Sequence, residues 1–230
     1  MAISVLVVVE LLVYGAAFIC GIVTAALVTV TQGEFGSGCI LYGKAQWNDS
    51  TKSLMLVHFG SSSHCSFVNT ISVAIAIYCF CIIFYFICAS CLDEARRGLH
   101  WLTASLVVSS IYLLLLLASG CLIRVGLNAF CQSILLENGI KSCSEAETKN
   151  WMPPYGSCRF YRNFSNAETS IWVNFFLWMV VLALLLVQRK MGNPESGGGG
   201  ASETDHLAPL CSPHRRTFRR GGKRWRRWKH

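Results

Sequence analysis

Four stretches of this 230-residue chain, at 3–30, 67–92, 101–123 and 171–188, are apolar on every face a helix could present. The last three contain no Asp, Glu, Lys or Arg, and the first holds a single charge, Glu10. A bilayer core about 30 Å thick takes roughly 20 apolar residues of helix at about 1.5 Å of rise each. Soluble core helices seldom stay apolar all round over such lengths. Composition agrees: 14% of the residues are charged, where a soluble domain carries about a quarter. The sequence therefore predicts an all-α membrane protein, a four-transmembrane-helix bundle with two disulfide-containing outward loops and a disordered basic C-terminal tail. Residues 1–190 form the membrane domain and 191–230 the tail. Neither loop is long enough for a catalytic domain with its own core. A cleaved signal peptide is the competing reading of the first stretch. It is disfavoured because no basic residue precedes the stretch and 11–30 exceeds the usual signal length.

Lysines and arginines set the expected orientation. Arg96 and Arg97 lie between the second and third spans, and Arg189 and Lys190 follow the fourth. With the tail, that side carries 13 Lys and Arg against five acids, whereas loops 31–66 and 124–170 hold seven against six. Both termini are expected in the cytosol and both long loops in the lumen or outside, in the plasma membrane or an internal secretory-pathway membrane.

Cysteine placement fits that sidedness. Cys39 and Cys65 bracket the first outward loop, and Cys131, Cys143 and Cys158 fall in the second. Oxidising compartments make such residues disulfides. The simplest pairing is Cys39–Cys65 with Cys131–Cys143; bridges between the loops are the alternative. Cys158 is left over, either free or paired with Cys121. Two glycosylation sequons, at Asn48 and Asn163, fall in the same loops. Asn48, mid-loop, is the better acceptor, because Asn163 lies close to the fourth span.

Several short strings then resemble a known family. They include Thr31-Gln-Gly-Glu-Phe35, Cys39-Ile-Leu-Tyr-Gly43, Cys131-Gln-Ser-Ile134, Ser142-Cys-Ser-Glu-Ala146 and Trp151-Met-Pro-Pro154. Arg124-Val-Gly126, Asn166-Ala-Glu-Thr-Ser170 and Trp172-Val-Asn174 extend the pattern into the last span. Together they resemble the transmembrane protein 179 family, in its B branch, over about residues 10–190, with an echo at Ser202-Glu-Thr-Asp205. The resemblance implies a four-span membrane protein without an established enzymatic activity. It matches Cys39, Cys65, Cys131, Cys143 and the sequon at Asn48. Cys158 and the arginine-rich end beyond Leu210 depart from it. The Cys-Cys-Gly of tetraspanins is missing, as is the Gly-Leu-Trp with two nearby cysteines of claudins, so likeness to those groups is architectural analogy.

Within the membrane, Glu10 is the residue to explain. With 11–30 as the span, it falls among cytosolic headgroups and needs no partner. Set deeper, it needs a polar neighbour, for which Asn174 and the third-span serines are candidates. Arg124 ends the third span and is expected to snorkel outward. Ala17, Gly21 and Ala25 repeat every four residues, a small-residue groove for close helix packing, and Ser105 and Ser109 form a similar ridge. Cys88 and Cys91 make one Cys-x-x-Cys pair with no further ligands nearby, so S-palmitoylation or packing is preferred over zinc or redox chemistry. No metal site and no cofactor is expected.

After residue 191 the chain turns glycine-rich, then basic. Positions 215–230 hold nine Lys and Arg and no acid, with Phe218, Trp225 and Trp228 interleaved. Nucleic acid could bind such a segment, but a tethered anionic leaflet is nearer, and each basic residue gains on the order of 1 kcal/mol there. Arg219, Arg220, Lys223, Arg224, Trp225, Arg226, Arg227 and Trp228 are therefore expected to contact anionic lipid rather than nucleic acid. Arg224-Trp-Arg226 also weakly matches an arginine-type retention signal.

No phosphate loop, nucleophile elbow or metalloprotease motif occurs, and His58 and His64 lack companions at metal spacing. No catalytic residue is expected. The leading function is a non-enzymatic interaction or accessory protein whose outward loops bind another membrane protein. A small channel or transporter subunit is the alternative, and a lipid-acting enzyme comes last.

Overall fold

The structure, a computed structural model, describes residues 2–91, 99–135, 140–153, 155 and 159–192. The chain divides into two units, Met1–Pro194 and Glu195–His230, and the described elements belong to the first. The basic tail with its eight lipid-contact candidates, the residues at 92–98 on which the orientation partly rests, Cys158, and the side chain of Cys91 lie outside the described residues.

Four long helices form the body: α1 Ala2–Glu34, α2 Ser62–Cys91, α3 Leu99–Leu135 and α4 Phe160–Gly192. Each contains a stretch long and apolar enough to cross a membrane. In hydrocarbon only an internally hydrogen-bonded backbone is tolerated, which is why these blocks are helices and not strands. Leu12 and Leu114 point away from the protein with 67% and 68% of their surface exposed, the arrangement expected where the solvent is lipid. Helix α1 packs against α2 and α4, and α3 packs against α4, whereas α2 and α3 touch only slightly.

All four helices outrun their predicted spans. Helix α3 has 37 residues, about 55 Å of rise against a core of about 30 Å. The region 124–170, expected as a loop, is helical at both ends, over 124–135 and from Phe160 onward. The reason is amphipathic. Ile123, Leu127, Phe130 and Ile134 recur at helical spacing and are all buried, so this part of α3 covers a core beyond the apolar block. Cys131 is therefore a helix residue, and Cys65 likewise sits in the first turns of α2.

The bundle centre is aromatic, with one ring from each helix. Trp178 of α4 lies 6.1 Å from Tyr14 of α1, 5.8 Å from Tyr78 of α2 and 5.0 Å from Tyr112 of α3, centroid to centroid. Below it, Glu10 is buried, and Gln188 Nε2 donates to its Oε2 at 2.8 Å. Glu10 thus has a polar partner at the end of α4, because antiparallel α1 and α4 bring residues 10 and 188 to one level. Buried hydroxyls mostly close onto their own helix: Ser72 donates to Val68 O at 2.8 Å and Ser109 to Ser105 O at 2.7 Å.

The small-residue repeat acts within the bundle. Ala17 is buried, and a Cβ at Gly21 would lie 2.9 Å from the Ser72 carbonyl oxygen and 3.3 Å from Ala76 Cβ. At that level α1 and α2 meet backbone to backbone. Ala25 is half-buried and borders an open groove between the same helices.

Candidate interaction surface at the loop end

At the end opposite Glu10, the two connecting segments fold together. The first is an antiparallel hairpin, β1 Cys39–Asn48 and β2 Ser53–Gly60, absent from the all-helical expectation. Its turn is Asn48-Asp-Ser-Thr-Lys52, where Asn48 Oδ1 accepts from Ser50 N at 3.0 Å. Such Asx geometry is what a hairpin turn favours. From Leu41 to Gln46 burial alternates strictly, as it must when one face packs on helix and the other on solvent.

An isolated hairpin is marginal in water, and this one is braced on every side. Cys39 bridges to Cys65, tying the start of β1 to α2. Cys131 bridges to Cys143, tying α3 to the second connecting segment. The pairing within each loop is thus the one formed. Ser133 Oγ on α3 accepts from Ala45 N at 3.2 Å. On the other edge, Leu54 N donates to Asn150 O and Met152 N donates to Leu54 O, each at 2.9 Å, so Trp151 adds a parallel bridge to β2. Phe35, Trp151 and Phe160 then stack edge to face beneath the hairpin at 5.6–6.2 Å, and Phe130 meets Phe160 at 5.5 Å. Trp151 Nε1 is satisfied by Ala146 O at 3.1 Å.

The register slips twice, between Cys39 and Lys44 and again between Lys44 and Ala45. The second slip leaves Val57 as the extra residue of a bulge in β2. The first places Tyr42 at φ 62°, an uncommon conformation for a residue with a Cβ. Tyr42 is held there by Gly126, where an added Cβ would meet its ring carbon at 2.9 Å, and by the His64 ring 5.1 Å away. Both bulges push an apolar side chain outward: Tyr42 is 39% and Val57 55% exposed.

Charges rim this unit. Arg124 and Glu168 meet at 3.4 Å, so Arg124 pairs across to α4 as well as ending its span. The Lys149 ammonium at 3.0 Å, then the Lys141 N–H at 3.1 Å, hold the Glu145 carboxyl below its ordinary range. Such exposed pairs contribute little to stability.

The remaining predicted sites scatter. Asn48 lies at the hairpin tip, whereas Asn163 sits in the first turn of α4, its N–H bonded to Arg159 O at 2.9 Å. Cys88 is half-buried near the far end of α2. Cys121 is an exposed free thiol, and the state of Cys158 lies outside the described residues. Among the described residues no group of three or more His, Cys, Asp or Glu gathers as a metal site. Tyr42, Gly126 and Ser133 lie in the strings that carry the family resemblance but had no role assigned from sequence, and Val57 was not marked at all. The one available signal was the polar Asn-Asp-Ser-Thr-Lys run, which is turn chemistry as well as a sequon.

Residues 6–208 match the family described as the transmembrane protein 179/179B claudin domain. The match runs past the fourth helix and takes in the Ser202–Asp205 echo. Transmembrane protein 179B of Homo sapiens is 43% identical over 217 residues, covering 90% of this chain and 96% of the relative. That of Mus musculus is 41% identical over 212 residues with the same coverage of both. The Danio rerio protein is 42% identical over 186 residues, 80% of this chain and 84% of its own. No solved structure matches. The missing claudin tripeptide therefore excluded a motif and not the domain. Four spans, two loop-end disulfides and a match over most of its length make this chain a member of the transmembrane protein 179/179B family, multi-pass membrane proteins of the claudin-domain type.

Proposed function

We propose that this chain is a non-enzymatic interaction protein whose loop-end unit, facing the lumen or exterior, binds another membrane protein. The observation that carries it is that both connecting segments fold as one cross-braced unit, covalently locked twice, whose bulges hold Tyr42 and Val57 out. A rigid surface loses little conformational entropy on association, and exposed apolar side chains supply the area to be buried. Both termini are cytosolic in this reading, supported by the basic bias of that side. The tail from Arg219 to Trp228 docks on anionic lipid there, and Cys88 and Cys91 are the lipidation candidates.

Two measurements test the reading. Full-length tagged protein, cross-linked in membranes and purified, should retain a defined set of membrane proteins. That set should fall at least fivefold with Val57→Lys while both disulfides persist. If Val57→Lys and Tyr42→Ser retain the same set as the unaltered protein, the interface is elsewhere and the reading fails. Sidedness is read separately. Asn48→Gln should abolish one endoglycosidase-sensitive band shift, whereas Asn163→Gln should change nothing, because residues within a regular helix present the acceptor poorly. An unglycosylated Asn48 in the mature protein counts against a lumenal loop end.

A further inference from the structure

Between α1 and α2, away from the bundle core, runs an open groove of about 610 Å³. Its floor is made of small residues, Gly21, Ala25 and Ala26 on α1 and Ala76 on α2. At its inner end the rings of Phe18 and Phe80 approach to 6.2 Å. At its outer end the Thr29 hydroxyl donates to Asn69 Oδ1 at 3.4 Å. From Phe18 to Thr29 the helix rises about 16 Å, so one polar pair and one aromatic stop are separated by roughly half the bilayer core.

The polar pair sits where the apolar blocks at 3–30 and 67–92 begin or end, at the hydrocarbon boundary. No residue lining the groove is charged. We propose that this groove binds a membrane sterol, with its single hydroxyl at Thr29 and Asn69 and its fused rings over the small-residue floor. The chemistry is complementary at both ends. A sterol hydroxyl donates to a lone pair of Thr29 Oγ1 and accepts from Asn69 Nδ2, the two functions the existing hydrogen bond does not use. A floor of glycine and alanine presents a flat, close surface on which a rigid planar body makes contact along its length without losing rotamer freedom. A phospholipid would bring a phosphate to a site with no cation, and a flexible acyl chain would lose entropy without using the polar pair.

The test uses full-length protein in membranes containing a photoactivatable, clickable sterol, with peptide mapping after irradiation. Label is expected within 18–29 or 69–80, competed by unlabelled cholesterol. It should drop at least tenfold in Ala25→Phe, which fills the groove from its floor, and at least fivefold in Thr29→Val/Asn69→Leu, which removes both hydrogen bonds to the sterol hydroxyl. If Ala25→Phe fails to fold, the double variant decides alone, since it keeps shape and removes polarity. Three results overturn the proposal: sterol label mapping elsewhere, a photoactivatable phosphatidylcholine labelling equally with no response to the double variant, or a cysteine at position 25 cross-linking two copies of the chain in sterol-replete membranes.

Discussion

Replacing Trp178 with alanine is expected to destabilise the detergent-solubilised protein by about 3–5 kcal/mol, the cost of deleting a large buried aromatic. Trp178 touches a tyrosine ring from each of the other three helices. Lipid tails are as apolar as the bundle interior, so burial of apolar surface from water does not hold such helices together. Packing contact and polar groups do. Removing the central ring therefore costs dispersion contact to three helices at once, and the void cannot be filled by moving any single one. Phe176→Ala is the control: Phe176 is 64% exposed on the same helix and faces outward. Its loss should cost less than about 0.5 kcal/mol, as for surface positions generally. Unfolding followed by far-UV circular dichroism in mixed micelles measures both. Equal midpoints for the two variants would remove the aromatic hub from the account of stability.

The second large effect is at the other end of the molecule. In the chain-entropy description, closing a 26-residue separation stabilises by about 3.5 kcal/mol and a 12-residue separation by about 2.8 kcal/mol. Cys39→Ser with Cys65→Ser should thus cost more than Cys131→Ser with Cys143→Ser. The loss should also be local, because the aromatic hub lies within the membrane bundle and does not depend on either bridge. Limited proteolysis from the loop side of sealed vesicles should cut residues 39–60 rapidly in the first variant while α1 to α4 remain protected. Cleavage at the unaltered rate would mean that Ser133, Trp151 and the aromatic layer suffice to hold the hairpin.

Much of the site was visible as chemistry but not as shape. One bridge within each outward segment was the simplest reading of the four cysteines, but bridges between the segments stayed open. The first of those segments concealed a hairpin. The apolar runs at 39–42 in β1 and 54–57 in β2 are only four residues long, too short for periodicity to tell a strand from another buried segment. The overhang of α3 was readable in Leu127, Phe130 and Ile134, yet a search for uninterrupted apolar length passes over an amphipathic repeat. The place of Tyr42 follows from packing against Gly126 of α3, a contact between residues more than 80 positions apart.

Sequence alone determined that this chain lives in lipid and crosses it four times, because the demand for about 20 apolar residues per helix is local and additive. It also placed four cysteines in the two outward segments, while leaving open whether bridges run within or between them. Tertiary structure decided what those segments build and what Glu10 touches. Both depend on which residues antiparallel helices bring to one height, and no local pattern records that.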